Sequence, residues 1–296
     1  MSFAIETREG TIESLVLRDA EAKSMLVLAP ARGGMASRLS LGGRHRFFLD
    51  ESTLRDPTKN VRGGNPVLFP SPGKLENDTY ARGSMKQHGF ARNLPWEVAS
   101  TQADGDARAT LRLRSSDETR AMFPWDFVAE YTYILKGMTL RIEQRFTSSG
   151  GEARAFGAGF HPYFHVKQSE KPATRIVTKA TRAFDNVTKK EITFEKVDGS
   201  AAGGTSRTAI DLGKREVDLH LLDHGAEPCT LESPTNKIVV RGSPEFTHFV
   251  VWTLEGKDFV CVEPWTCPGN ALNTVDRLMT IEPGASKTIW VEYEAI

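Results

Sequence analysis

The chain has 296 residues, 39% of them hydrophobic, with 38 basic and 38 acidic side chains and no formal net charge. Such a composition supports a sizeable core and excludes wholesale disorder, a collagen-like chain and a disulfide scaffold. Zero net charge removes the usual electrostatic ground for binding nucleic acid or an anionic membrane.

The first residues, MSFAIETREG, mix acid and base without an apolar stretch and do not read as a secretory signal. Short β-rich runs follow at Ser14–Leu17 and Met25–Leu28. The stretch Asn60–Gly73 is dense in Gly, Pro and Asn, and reads either as a long connection or as a loop that holds polar groups at a sheet edge. From Ala107 to Arg114 apolar residues occupy every odd position, the pattern of a strand with one wet face. Val128–Leu135 is a further run, and Leu140, Ile142 and Phe146 alternate with Arg141, Glu143 and Arg145. The stretch Asp198–Ser206 (DGSAAGGTS) reads as a surface loop. More runs lie at Lys237–Val240, Phe246–Leu254 and Phe259–Val262, and Ile289, Val291 and Tyr293 repeat the alternation. Turn signals stand at Asp104-Gly105, Lys136-Gly137, Asp198-Gly199 and Pro283-Gly284.

No stretch keeps a helical apolar pattern over three turns, and none is long enough to span a bilayer. The expectation is an all-β chain, a large antiparallel β-sandwich in one domain over residues 1–296. Cys229, Cys261 and Cys267 form no CxxC pair, which fits free thiols in a reducing cytoplasm.

Three clusters place ionisable groups beside aromatics and Pro or Gly: Gln87-His88-Gly89-Phe90-Ala91-Arg92, Phe160-His161-Pro162-Tyr163-Phe164 and Val262-Glu263-Pro264-Trp265. Rigidly held groups of this kind suit a partly dry pocket. Glu263 ends an apolar run, where an unpaired carboxylate is costly. It reads as a catalytic carboxylate or as half of an ion pair with Arg62 or Arg92. His161 equally fits a packed structural histidine, and Gln87 and His88 equally fit turn residues. His161 and His165 have a spacing seen at zinc sites, but no Cys or acidic partner completes the set and Pro162 argues against a helix. No metal is expected. There is no nucleophile elbow, Walker loop or dinucleotide fingerprint, so no cofactor is expected either. A carboxylate and a histidine remain, which suits cofactor-free proton transfer.

These clusters, together with Arg62-Gly63-Gly64-Asn65-Pro66-Val67-Leu68-Phe69-Pro70 and Asn93-Leu94-Pro95-Trp96, resemble the aldose 1-epimerase (mutarotase) superfamily from about Arg62 to the last residue. The resemblance implies a galactose mutarotase-like β-sandwich with its site in a cleft on one sheet. It implies Glu263 as the base that takes the C1 hydroxyl proton and His161 as the acid that protonates the ring oxygen. Substrate-binding positions fall on Arg62, Gln87, His88 and Arg92. The family aspartate that binds hydroxyls matches Asp185 on a weaker local motif, with Asp198 and Asp211 as alternatives. Trp96 and Trp265 could stack on a sugar face or pack in the core.

The expected partner is a small-molecule sugar or sugar phosphate, handled by a monomer or homodimer. A free aldose is the preferred substrate. The arginine pair also resembles the hexose-6-phosphate branch, where Lys74 and Arg82 could add charge. A non-catalytic carbohydrate-binding protein is the alternative of another class, and it has no need for both Glu263 and His161.

Overall fold

The computed structural model describes residues 2–194, 206–208 (backbone only) and 210–296. The turn signal Asp198-Gly199, Asp198 itself and nearly all of the Asp198–Ser206 stretch lie outside them. Two large antiparallel sheets dominate. One has nine strands, in the order Ser206–Thr208, Arg175–Thr178, Cys229–Glu232, Lys237–Gly242, Ser286–Ala295, Thr139–Ser148, Phe127–Lys136, Ala107–Arg114 and Glu97–Gln102. The other has eight strands: a path Lys190–Thr193, Arg182–Asp185, Glu216–Leu221, His248–Leu254, Phe259–Trp265, Gly159–Phe160 and Val67–Leu68, with Tyr163–His165 also pairing on Phe259–Trp265. A five-stranded sheet spans Phe3–Arg8 to Arg44–His45. The expected all-β sandwich is thus what forms, and the longest α-helix among the described residues is Asp117–Met122.

The period-2 alternation does what it should. Ala107, Ala109, Leu111 and Leu113 face inward, as do Phe127, Ala129, Tyr131, Tyr133 and Leu135 on the next strand. Phe69, from the second sheet's edge, stacks on Phe146 at 5.2 Å and meets Phe156 edge-on, so aromatics join the two layers. Each buried aromatic of this kind removes a large apolar surface from water.

Several sequence boundaries shift, most by one or two residues. The strand starting at Phe259 runs on through Glu263 and Pro264 to Trp265, rather than ending at Val262. Phe246 precedes its strand, in a turn closed by its N–H on the Ser243 carbonyl. No helix among the described residues is long and apolar enough to cross a membrane.

Candidate active site

Three adjacent strands of the eight-stranded sheet form the floor of a cleft. Val217, Leu219 and Leu221 enter the core, so Glu216, Asp218 and His220 point the other way. His248, Val250 and Trp252 occupy that face of the next strand, and Glu263 and Trp265 that of the third. The register is a grid: His220 opposes Val250, which opposes Glu263. The resulting cavity has a volume of about 640 Å³.

His161 reaches Glu263 through the same register. Gly159 pairs with Trp265 and Tyr163 with Cys261, which sets His161 opposite Glu263 in the gap between two short strands. Pro162 cannot donate to the ladder, and its neighbour His161 instead gives its N–H to the Pro66 carbonyl. His161 Nε2 lies 3.5 Å from Glu263 Oε1, and the ring stacks on Tyr163 at 4.7 Å. Trp265 Nε1–H donates to Glu263 Oε2 at 3.2 Å. Glu263 is 2% exposed and His161 is 9% exposed.

Burial sets both proton affinities. It pushes the Glu263 carboxyl well above the ordinary carboxylate range, with the nearby Asp218 charge adding to it. It pulls His161 down to about 3, assisted by the Arg92 charge. A buried carboxyl of raised affinity beside a buried imidazole of lowered affinity is the environment of an acid–base pair.

The loops carry the remaining groups. Asn65 gives its backbone N–H to the Ala36 carbonyl and its side-chain amide to the Tyr293 hydroxyl, which pins the Arg62–Pro66 motif to both neighbouring layers. Arg62, exposed at the cleft wall, lies with its guanidinium carbon 5.7 Å from the Trp252 ring centre. His88 is buried at φ +70°, its Nδ1 accepting from the Gly73 N–H at 3.0 Å and its own N–H donating to the Gly73 carbonyl. That acceptor role puts the ring proton on Nε2. The next residue must be glycine: Gly89 has φ +72°, and a Cβ there would meet the Phe69 carbonyl oxygen at 2.2 Å. Arg92 Nη2 donates to the Gln87 carbonyl at 2.8 Å, while its buried Nε has no hydrogen-bond partner among the described residues. Burial brings Arg92 down to about 10.

The cleft therefore brings together six of the seven sequence-predicted residues: Arg62, Gln87, His88, Arg92, His161 and Glu263. Asp185 is the exception. It sits in register with Leu219, on the strand face turned away from the cleft, and its Oδ1 accepts the N–H groups of Val187 and Thr188 in a turn. Asp211 lines the same separate cavity as Asp185. The aspartate in the cleft is Asp218, which accepts from Asn186 Nδ2 at 2.7 Å and has His220 Nε2 at 3.5 Å. Burial works to raise its affinity, but the bonds from His220 and Asn186 outweigh it and hold the carboxyl below its ordinary value. His220 and His248, whose ring nitrogens lie 2.9 Å apart, complete that wall.

The ion-pair reading of Glu263 does not hold in this geometry, because its near partners are His161 and Trp265 rather than an arginine. Trp96 packs in the core against Tyr131, donating to the Ala91 carbonyl, whereas Trp265 lines the cleft. Lys74 also lines it, but Arg82 pairs with Glu152 elsewhere. The alternation in Glu216–Leu221 (EVDLHL) would have revealed Asp218 and His220 in the sequence.

The chain is similar to several known proteins. One relative, named "Putative glucose-6-phosphate 1-epimerase" from Escherichia coli (strain K12), is 35% identical over 140 residues, spanning 44% of this chain and 44% of that protein. A protein of the same name from Cenchrus ciliaris is 24% identical over 95% of this chain and 83% of its own length. The crystal structure of the Slr1438 protein from Synechocystis sp. PCC 6803 superposes with a TM-score of 0.87 at 34% identity, covering 97% of this chain and 98% of that one. The sequence profile of the aldose 1-epimerase family matches residues 57–294, and the chain belongs to that family.

Proposed function

We propose that the cleft interconverts the α and β anomers of an aldose by opening and reclosing its ring, and that this aldose carries a phosphate. The observation that supports the second half is a cationic flank without counter-ions. Arg62, Lys74 and Arg92 line one cleft, and among the described residues none of them pairs with a carboxylate. Arg62 lies close enough to Arg92 to lower its proton affinity. Two guanidinium groups held near each other in a partly dry cleft repel, and a phosphate between them relieves that cost through bidentate bonds. The sequence alone prefers a free aldose; the unpaired cations turn the preference toward the ester. The relatives' shared name accords with this reading.

Ring opening is written as two proton moves. Glu263, as carboxylate, takes the proton from the C1 hydroxyl, and His161, as imidazolium, gives one to the ring oxygen as the C1–O5 bond breaks. Both side chains end neutral. Burial favours the neutral forms of both, so the desolvation cost of the charged pair works in the direction of bond cleavage. Rotation about C1–C2 and the reverse transfers close the ring on its other face. Asp218, His220 and Asn186 would bind hydroxyls on the far wall, and His88 Nε2–H would donate to a sugar oxygen. A binding protein would need neither the acid nor the base.

Magnetisation exchange between anomer signals of glucose 6-phosphate, glucose and galactose tests the reading. The ester should exchange faster with enzyme at concentrations where the free sugars do not. Arg92→Ala should raise KM for the ester ~10–100-fold with little change in kcat, the worth of a charge-assisted contact. Equal acceleration of free and esterified sugars, with an equal Arg92→Ala effect on both, would restore the free-aldose reading. Silence on every sugar would favour the binding protein.

A further inference from the structure

We propose that His161, Cys261 and Glu263 form a site for a thiophilic divalent cation such as Zn²⁺ or Cd²⁺, and that filling it stops the proton chemistry of the cleft. A ring nitrogen of His161, the Cys261 sulfur and a Glu263 carboxylate oxygen all lie within 4.8 Å of one another, and all three residues are buried. The fold makes this set without any sequence motif. Cys261 and Glu263 stand two apart on one strand and so share its face, and the Gly159 and Tyr163 pairings carry His161 to the same spot. His165, the zinc partner that the H-x3-H spacing suggests, is not in the group. The Cys and acidic partners that the sequence seemed to lack come from a neighbouring strand.

Zn–N and Zn–O bonds are ~2.0–2.2 Å and Zn–S bonds ~2.3 Å, so donors on one tetrahedral ion sit ~3.3–3.9 Å apart. The three side chains need to close by only ~1 Å. Imidazole, thiolate and carboxylate are the donors such an ion selects, and three protein donors leave a fourth position for water or a sugar oxygen. Binding transfers the Cys261 thiol proton, and any proton on Glu263, to solvent; thiolate and carboxylate then balance the two positive charges, and no electron moves. No second hydrogen bond holds the His161 ring, whose buried Nδ1 has no partner among the described residues. Affinity should therefore fall ~10–100-fold short of a site whose histidine is held by a second hydrogen bond.

Inhibition follows because the ion would occupy the Nε2 and Oε1 atoms that the proposed mechanism uses. That half rests on the acid–base reading, whereas binding itself does not. Co²⁺ titrated into the purified chain should produce a near-ultraviolet thiolate-to-metal charge-transfer band that Zn²⁺ displaces. The band should be missing in Cys261→Ser, or in Cys261→Ala should the serine variant melt early. Zn²⁺ should lower anomer exchange, a chelator should restore it, and Cys261→Ser should keep basal turnover with at least about tenfold less sensitivity to Zn²⁺. No band in the wild type, or an equal band in both cysteine variants, overturns the site. A Cys261-dependent band with unchanged turnover keeps the site but counts against His161 and Glu263 as the proton-transfer pair.

Discussion

On the nine-stranded sheet the outward polar side chains neutralise one another. Arg112 bridges Glu130 and Glu97, Arg141 reaches Glu143 and Glu292 and lies over Trp290, and Arg241 joins Glu292 and Glu294. Over the eight-stranded sheet, polar side chains converge on a cleft: Glu263 and His161 are buried there beside each other, and Arg62 and Arg92, from the flanking loops, pair with no carboxylate among the described residues. Both faces come from the same alternation. One face satisfies its charges with its own neighbours; under the proposed function the cleft keeps its cations for a ligand, which is the usual cost of a site in stability.

The largest expected effect breaks the cleft side of this contrast. Glu263→Gln should lower turnover ~10²–10⁴-fold, the worth of a positioned general base, and leave sugar affinity nearly intact. His161→Asn should do the same to turnover. Stability should hold or rise in Glu263→Gln, because an amide at a position 2% exposed carries no charge to desolvate. Kinetics and thermal unfolding on one preparation check both halves. A fall of many degrees in the melting temperature would make Glu263 a structural partner instead.

An intermediate effect separates the sheets by pH. Burial first, then nearby charges, holds His88 and His248 well below the ordinary histidine value and His161 at about 3. The unfolded chain binds protons at these histidines below pH ~6.5 while the folded chain does not. Their contribution is therefore present above that pH and is lost as pH falls toward their folded values. Glu263 acts in the opposite sense, its raised affinity contributing fully below about 4.5 and less as pH rises through its folded value. Three histidines outweigh one carboxyl, so the melting temperature should drop between pH 6.5 and 5. Asp106, in the bend before Ala107–Arg114 and lowered first by its bond from Arg108, acts only below the ordinary aspartate range near 4. His248→Gln should flatten the slope between pH 5 and 6.5; an unchanged slope would place its origin outside the cleft.

How much of this was legible depended on whether a signal was local. The strand Ala107–Arg114 shows its alternation within eight residues and was bounded correctly from the sequence. His161 and Glu263 stood out through the stiff, aromatic company they keep. Asp185 was misplaced because a local motif cannot tell which strand face a residue takes; its register partner Leu219 decides that. The apolar run Phe259–Val262 stops short of Glu263, yet the strand continues to Trp265, with Val262 and Glu263 opposite Pro162 and His161, where the neighbouring ladder is interrupted. The meeting of Cys261 with His161 depends on pairing between distant segments, which no spacing in the sequence displays.

The smallest effect sharpens the other side. Arg112→Ala removes contacts to Glu130 at 2.7 Å and Glu97 at 2.9 Å on a face far from any chemistry. Screening and side-chain entropy limit such partly exposed pairs to about 0.5–1 kcal/mol. For a chain of this size the melting temperature should fall ~1–3 °C. The deficit should shrink in 1 M salt, where the Debye length is ~3 Å and the wild-type pairs are themselves weakened. Neither kcat nor KM should move, because a sheet that neutralises its own charges has nothing to offer the cleft. A changed KM for the sugar ester in Arg112→Ala would show that the two faces are coupled through the shared core, and the division of labour between them would then be wrong.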